Sequence, residues 1–169
     1  MAAAFDLVIF DCDGVLIDSE VISARQLVSS LADLGVQIDM AYVARHFLGR
    51  SYPTVMKQIR AEFGLDLPAS FEDDYRNRLL AAFEADLKVM PGIRDVLQTL
   101  DLPWCVATSS SPRRAAFSME LTGLAPLVEG RLFTASQVER GKPAPDLFLL
   151  CAARHGARPD IVEDDVRRG

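Results

Sequence analysis

A lone short strand pattern, a long block of purely helical pattern, and only then an alternation of strands and helices: this order constrains the fold more than any other feature of the chain. Leu7 to Phe10 (LVIF) is a β-favouring apolar run of the kind that fills a fully buried parallel strand, and Asp13-Gly14 breaks it. From residue 19 to residue 87 the apolar positions follow helical spacing. Val21, Ile22, Leu27, Val28, Leu31 and Leu34 share a first helix, which Gly35 is placed to stop. Asp39 is a candidate cap for a second helix through Phe47. A third starts near Pro53, with Val55, Met56, Ile59 and Phe63 on one face and Gly64 at its end. Ser70 and Asp73 form a capping-box pattern ahead of Leu79, Leu80 and Phe83. Met90-Pro91-Gly92 punctuates the block, and beyond it the pattern changes. Helices are predicted over 93–100, 112–122 and 145–155, with strands over 104–108 and 132–134. Such alternation argues for a parallel sheet. The predicted fold class is therefore α/β: a Rossmann-like core of residues 1–18 and 88–169 carrying an inserted α-helical cap of residues 19–87.

Composition narrows the function classes. The chain has 169 residues, half of them hydrophobic, enough for one domain with a smaller insert. Its net charge is −6, with acid and base spread along the chain and no basic block, so nucleic acid is not an expected partner. A net-acidic protein that handles anions must make positive charge locally or borrow it from a metal. Cys12, Cys105 and Cys151 lie far apart in apolar stretches, which reads as buried small hydrophobes in a reducing cytoplasm. The opening MAAAFDLVIFD has no basic segment, and its apolar run is too short to span a membrane or act as a signal. A cytoplasmic protein with no membrane partner is expected. Oligomeric state is not readable.

Three predicted strand ends carry polar chemistry, where open α/β sheets bind their ligands. The first holds Asp11 and Asp13. Residues i and i+2 of an extended chain share a face, so both carboxylates point one way while Cys12 points into packing. Two unit charges at ~4 Å repel by about 1 kcal/mol in water and about 4 near a protein surface. A divalent cation would offset this, and Mg2+ prefers one or two carboxylates plus phosphate oxygens. A plain Asp-Gly turn after another acid is the competing explanation. The second end is Thr108-Ser109-Ser110-Ser111-Pro112, either simple helix capping by Ser111 or a phosphate cradle at a helix N-terminus, with Ser109 and Ser110 as contacts. The third is Gly141-Lys142-Pro143, where flanking Gly and Pro restrict the loop. Lys142 is then either a solvated lysine or a fixed point charge for a carboxylate and a phosphoryl oxygen.

Two acids, a hydroxyl and a lysine, each after a strand, resemble the haloacid dehalogenase superfamily, in its β-phosphoglucomutase-like branch of small phosphatases with a helical cap. DCDGVLIDSE carries the first motif, ATSSSP the second and GKPAPDLF the third, across residues 5 to about 155. The resemblance implies Asp11 as a nucleophile that forms an aspartyl-phosphate. It implies Asp13 as the acid that protonates the leaving oxygen and then takes a proton from water, which requires its pKa to be raised relative to Asp11. It implies Ser109 and Lys142 on the phosphoryl oxygens, and Mg2+ on the Asp11 carboxylate and the Asp13 carbonyl. Arg50, in the cap loop Gly49-Arg50-Ser51, is implied as a grip on an anionic or polyol substrate, or else is a solvated arginine. His46 reads as packing or surface.

The fourth family motif is matched imperfectly. Ile161-Val162-Glu163-Asp164 has only two apolar residues before its acids, and the chain then stops short of the family's usual length, so the C-terminus is expected to be truncated or frayed. Asp164 is the third metal ligand the resemblance implies. The expected activity is an Mg2+-dependent phosphomonoester hydrolase acting on a small phosphorylated metabolite, a sugar or sugar-acid phosphate. A phosphosugar mutase is the alternative within the family, but positions that carry a histidine and an arginine in the mutase match Ser23 and Tyr52 here. A phosphate-accepting receiver domain and a catalytically silent member are the readings from other classes.

Overall fold

The structure, a computed structural model, describes residues 5–47, 50 and 52–158. Gly49, Ser51 and the tail with Glu163 and Asp164 lie outside these residues.

Chain order within them begins with β1 (Val8–Phe10). Four helices follow: α1 (Glu20–Ala32), α2 (Met40–His46), α3 (Tyr52–Phe63) and α4 (Phe71–Asp86). Then come α5 (Ile93–Thr99), β2 (Trp104–Thr108), α6 (Pro112–Leu121), α7 (Ala125–Val128), β3 (Leu132–Thr134), a 3-10 turn (Ala135–Gln137) and α8 (Asp146–His155). The strands form one parallel sheet in the order β1-β2-β3, with Ile9 opposite Cys105 and Ala107 opposite Phe133.

β2 is buried along its whole length, which is why Trp104 to Ala107 (WCVA) is a continuous apolar run without alternation before the Thr108 hydroxyl at its end. Its side chains still alternate between faces. Trp104 and Val106 pack with Leu16, Ile17, Leu97, Met119 and Leu124. Cys105 and Ala107 pack on the opposite face with Leu147 and Cys151 of α8. The three cysteines are free and buried, as the sequence implied.

The helical block has a core of its own, in which Leu31, Met56, Ile59, Leu79 and Phe83 are almost wholly buried. Its two connections to the sheet unit run side by side. The Asp18 N–H donates to the Lys88 carbonyl at 2.9 Å and the Met90 N–H to the Leu16 carbonyl at 2.9 Å, around an antiparallel bridge between Ile17 and Val89. Both ends of the block therefore meet the sheet unit at one place.

Capping differs from expectation at one helix. Asp39 caps α2 as predicted, its carboxylate accepting from the Tyr42 N–H at 2.7 Å. Ser70 makes no such bond, because its backbone is already helical (φ −78°, ψ −14°) and a side-chain cap needs an extended residue. Glu72, Asp73 and Asp74 complement the N-terminus of α4 instead. No described helix is long and apolar enough to cross a membrane.

Candidate active site

Because the strands are parallel, the residues after each one gather along a single edge of the sheet. Asp11 and Asp13 follow β1, Ser109 and Ser110 follow β2, and Lys142 comes from the loop between β3 and α8. All five line a cavity of about 460 Å³ closed on its other side by the helical block.

Asp11 sits half exposed on the cavity wall. Its Oδ1 accepts from the Cys12 N–H at 2.7 Å and lies 3.2 Å from the Lys142 ammonium. Lys142 also donates to the Ala107 carbonyl at 2.8 Å, and its Nζ lies 5.3 Å from the centroid of the Phe148 ring. The lysine is therefore a largely buried point charge held between a strand end and a carboxylate, not a solvated loop residue.

Asp13 is more heavily bound. Its Oδ1 accepts from the Ser19 hydroxyl at 2.6 Å and from Arg114 Nη2 at 2.9 Å. Its Oδ2 accepts from the Ser110 hydroxyl at 2.7 Å and the Thr108 hydroxyl at 3.5 Å. Burial pushes this carboxyl up, but the Arg114 guanidinium and the Ser19, Ser110 and Thr108 hydroxyls outweigh it and hold it below its ordinary value. The resemblance implied an Asp13 pKa raised relative to Asp11; the Asp13 carboxyl is instead held below its own ordinary value. The cause is Arg114, which gives the second carboxylate a cation of its own. Each acid of the pair is thus neutralised separately, Asp11 by Lys142 and Asp13 by Arg114. Cys12 is inert between them, since burial and both carboxylates push its thiol well up.

The turn that aims the two acids needs a glycine. Gly14 has φ +73°, and a Cβ there would stand 2.5 Å from the Glu20 side chain, which also lines the cavity. Ser111 caps α6 from an extended backbone, accepting from the Arg114 N–H at 3.4 Å, with Pro112 behind it. Ser109 lines the cavity half-buried, whereas the Ser110 hydroxyl is committed to Asp13. Arg50 reaches the cavity rim, exposed, bonded to Gln58 Oε1 at 3.1 Å. His46 is not among the lining residues; its ring lies against Tyr42. Asp164 lies outside the described residues.

Arg114 was not singled out in the sequence, and neither Ser19 nor Thr108 was expected to bind Asp13. A signal for the arginine existed: Arg113-Arg114 places two cations in the first turn of α6, where the helix dipole disfavours them. Arginines tolerated there imply anionic partners.

The donor chemistry suits a hard cation. Among the described residues no three metal-ligating side chains cluster. Mg2+ does not need that, because it takes one or two carboxylates and keeps water or phosphate oxygens. The Asp11 carboxylate, half exposed on the cavity wall, supplies such an oxygen.

Comparison with known proteins agrees with this geometry. A sequence model described as "haloacid dehalogenase-like hydrolase" matches residues 5–163. The 6-phosphogluconate phosphatase of Escherichia coli is 28% identical over 95% of this chain and 75% of its own length. Hexitol phosphatase A of the same organism is 31% identical over 92% and 73%. Among solved structures, a conserved haloacid dehalogenase-like protein of unknown function from Agrobacterium tumefaciens superposes with a TM-score of 0.80 at 35% identity, covering 94% of this chain and 72% of that one. A hydrolase of the same family from Deinococcus radiodurans, solved with bound phosphate and sodium, gives 0.71 at 31%, covering 92% and 69%. With its two acids, serine loop and lysine gathered on one sheet edge beneath a helical block, the chain belongs to the haloacid dehalogenase-like hydrolases.

Proposed function

We propose that this chain is an Mg2+-dependent phosphomonoester hydrolase that works through an aspartyl-phosphate on Asp11, with the sheet unit (residues 1–18 and 88–169) as the catalytic domain and residues 19–87 as its cap. The single observation that carries the proposal is the pairing of Lys142 with Asp11 at 3.2 Å on the cavity wall, beside an Asp13 that has donors of its own. The Asp11 carboxylate attacks phosphorus, forming the aspartyl-phosphate as the P–O bond to the alcohol breaks. Lys142 and Ser109 hold the phosphoryl oxygens. Asp13, ionised in its nest of donors, serves directly as the base that takes a proton from the hydrolytic water. For the first half-reaction it must carry a proton to the leaving oxygen. The entry of a phosphate dianion into the cavity favours that, since a nearby anion raises a carboxyl pKa. Ser110 steadies Asp13 rather than the phosphate. Mg2+ would be held by the Asp11 carboxylate and the Asp13 carbonyl, with Asp164 as the third ligand the resemblance implies, and would supply charge neutralisation at the phosphoryl group.

The cavity supports a reading of the substrate class. Its volume is that of a small-metabolite site, and its lining mixes Arg50, Arg76 and Arg113 with Glu20 and Asp73. Cations suit an acid group and carboxylates suit hydroxyls, so a sugar or sugar-acid phosphate is favoured, the class to which the names of the phosphatase relatives belong. Three free buried thiols suit a reducing cytoplasm. The mutase alternative loses support at Ser23, whose hydroxyl is bonded to Arg114, and at Tyr52, which is stacked on Tyr75.

The test is hydrolysis of p-nitrophenyl phosphate. Turnover that requires Mg2+ and disappears in Asp11→Asn supports the proposal. Turnover that survives the substitution rejects it. Conversion of a hexose 1-phosphate to its 6-phosphate without phosphate release would select the mutase.

A further inference from the structure

We propose that Arg114 is a positioning residue that clasps the helical block to the sheet unit through the same guanidinium that orients Asp13, so that seating the block and aiming Asp13 are one event. The inference rests on the proton-transfer role given to Asp13 above.

The clasp starts in the sequence. Ser111 caps the backbone N–H of Arg114, which fixes where the side chain leaves α6. Nη2 then lies 2.9 Å from Asp13 Oδ1 and 3.2 Å from the Ser23 hydroxyl of α1. The guanidinium carbon stands 5.2 Å from the centroid of the Phe83 ring on α4. One planar cation thus touches β1's loop, α1 and α4, and two of these three belong to the helical block. A lysine could reach one partner but not hold all three, because a guanidinium has a rigid fork and a flat face while an ammonium is a point. The buried Nε finds no acceptor among the described residues. The fold has therefore placed this side chain for its outer edge and its face, at the expense of its inner donor.

The consequence is coupling. The contacts of Arg114 with Ser23 and Phe83 exist only while the block sits against the sheet unit, to which it is joined by the paired connections at residues 16–18 and 88–90. A ligand that seats the block therefore also narrows the orientations open to Asp13, because a state is favoured only through such differential contacts.

The experiment compares Arg114→Met, Arg114→Lys, Ser23→Ala and Asp13→Asn with the unaltered chain in Mg2+. Substrates are p-nitrophenyl phosphate, whose leaving group needs no acid, and a hexitol phosphate, whose alkoxide does. Hydrogen exchange of residues 16–20 and 86–90 is followed in the same proteins. The expected result is that Arg114→Met loses at least about tenfold more kcat on the hexitol phosphate than on the aryl phosphate. Ser23→Ala shows the same selectivity on a smaller scale and faster exchange at both connections. Arg114→Lys recovers only part of the loss. Should Arg114→Met not fold, Ser23→Ala carries the test alone, since it removes one hydroxyl. Equal losses on both substrates, full recovery by lysine, or unchanged exchange in Ser23→Ala would overturn the clasp. If Asp13→Asn itself lacks the leaving-group selectivity, the proton-transfer reading fails instead.

Discussion

Replacing Lys142 by methionine removes the cation that, among the described residues, is ion-paired with the proposed nucleophile. The substitution keeps the stem and removes the charge. At 3.2 Å the Lys142–Asp11 attraction amounts to about 5 kcal/mol at an effective dielectric of ~20. That is an upper bound, because half of the Asp11 side chain is exposed and water screens the pair. Catalysis responds to what the lysine does for the phosphoryl group in the transition state, and a single preorganised donor of this kind is worth about 10²–10³ in rate. The variant is therefore expected to lose about 10²–10³-fold in kcat/KM. The stability loss should be smaller than the rate loss expressed as free energy. The Ala107 carbonyl, fully buried, loses its 2.8 Å donor, which costs about 1–3 kcal/mol, or about 2–4 °C in Tm per kcal/mol for a chain of this size. Steady-state kinetics on p-nitrophenyl phosphate and a thermal melt on the same sample separate the two effects. Lys142→Arg should not rescue, because a fork cannot occupy a point between two oxygens. A folded methionine variant within about fivefold of the original kcat/KM would refute the reasoning, as would full rescue by arginine.

Other substitutions test other links. Asp13 has a folded pKa below its unfolded value of about 3.9, so its ionised form stabilises the fold above that pH, and the contribution disappears as pH falls through about 4 toward the folded value. Melts from about pH 6 down to 3 should show a shallower acid loss for Asp13→Asn than for the unaltered chain; an equal or steeper loss contradicts the assigned shift. Gly14→Ala should cost about 1–2 kcal/mol from its left-handed backbone alone. It should also raise KM by displacing Glu20 from the cavity wall, and a neutral effect on both counts would contradict the turn geometry. Met56→Ala, in a side chain 1% exposed, should destabilise by about 2–5 kcal/mol, visible as a lower denaturant midpoint; a loss under about 1 kcal/mol would mean that the helical core is loosely packed.

Much of this architecture was legible because its signals are local. The bounds of β2 and β3 are those of their apolar runs, and a fully buried parallel strand leaves no other reading of WCVAT. Gly64, with positive φ, directly follows α3 as expected of a helix stop, whereas α1 already ends at Ala32, short of Leu34 and of Gly35, whose φ is also positive. The candidate-site residues Asp11, Asp13, Ser109 and Lys142 were legible because each follows a strand, and parallel strands end together. What stayed hidden depends on long-range geometry. α7 and the 3-10 turn are too short to show a period. The Ser70 pattern had the right letters on a residue whose backbone is already helical. Arg114 lies 101 positions from Asp13, and only the tertiary fold reveals that the cation meant for the second acid comes from α6.

The most direct test is to trap the phosphoryl group. Rapid acid quench of the enzyme turning over p-nitrophenyl phosphate in Mg2+, followed by peptide mass spectrometry, should place one phosphoryl group on the peptide containing Asp11. Treatment with hydroxylamine should release it, and Asp11→Asn should show none. A phosphoryl group on a serine of the 109–111 loop, or hydrolysis at full rate with no phosphorylated peptide at any quench time, would contradict the mechanism at its first step.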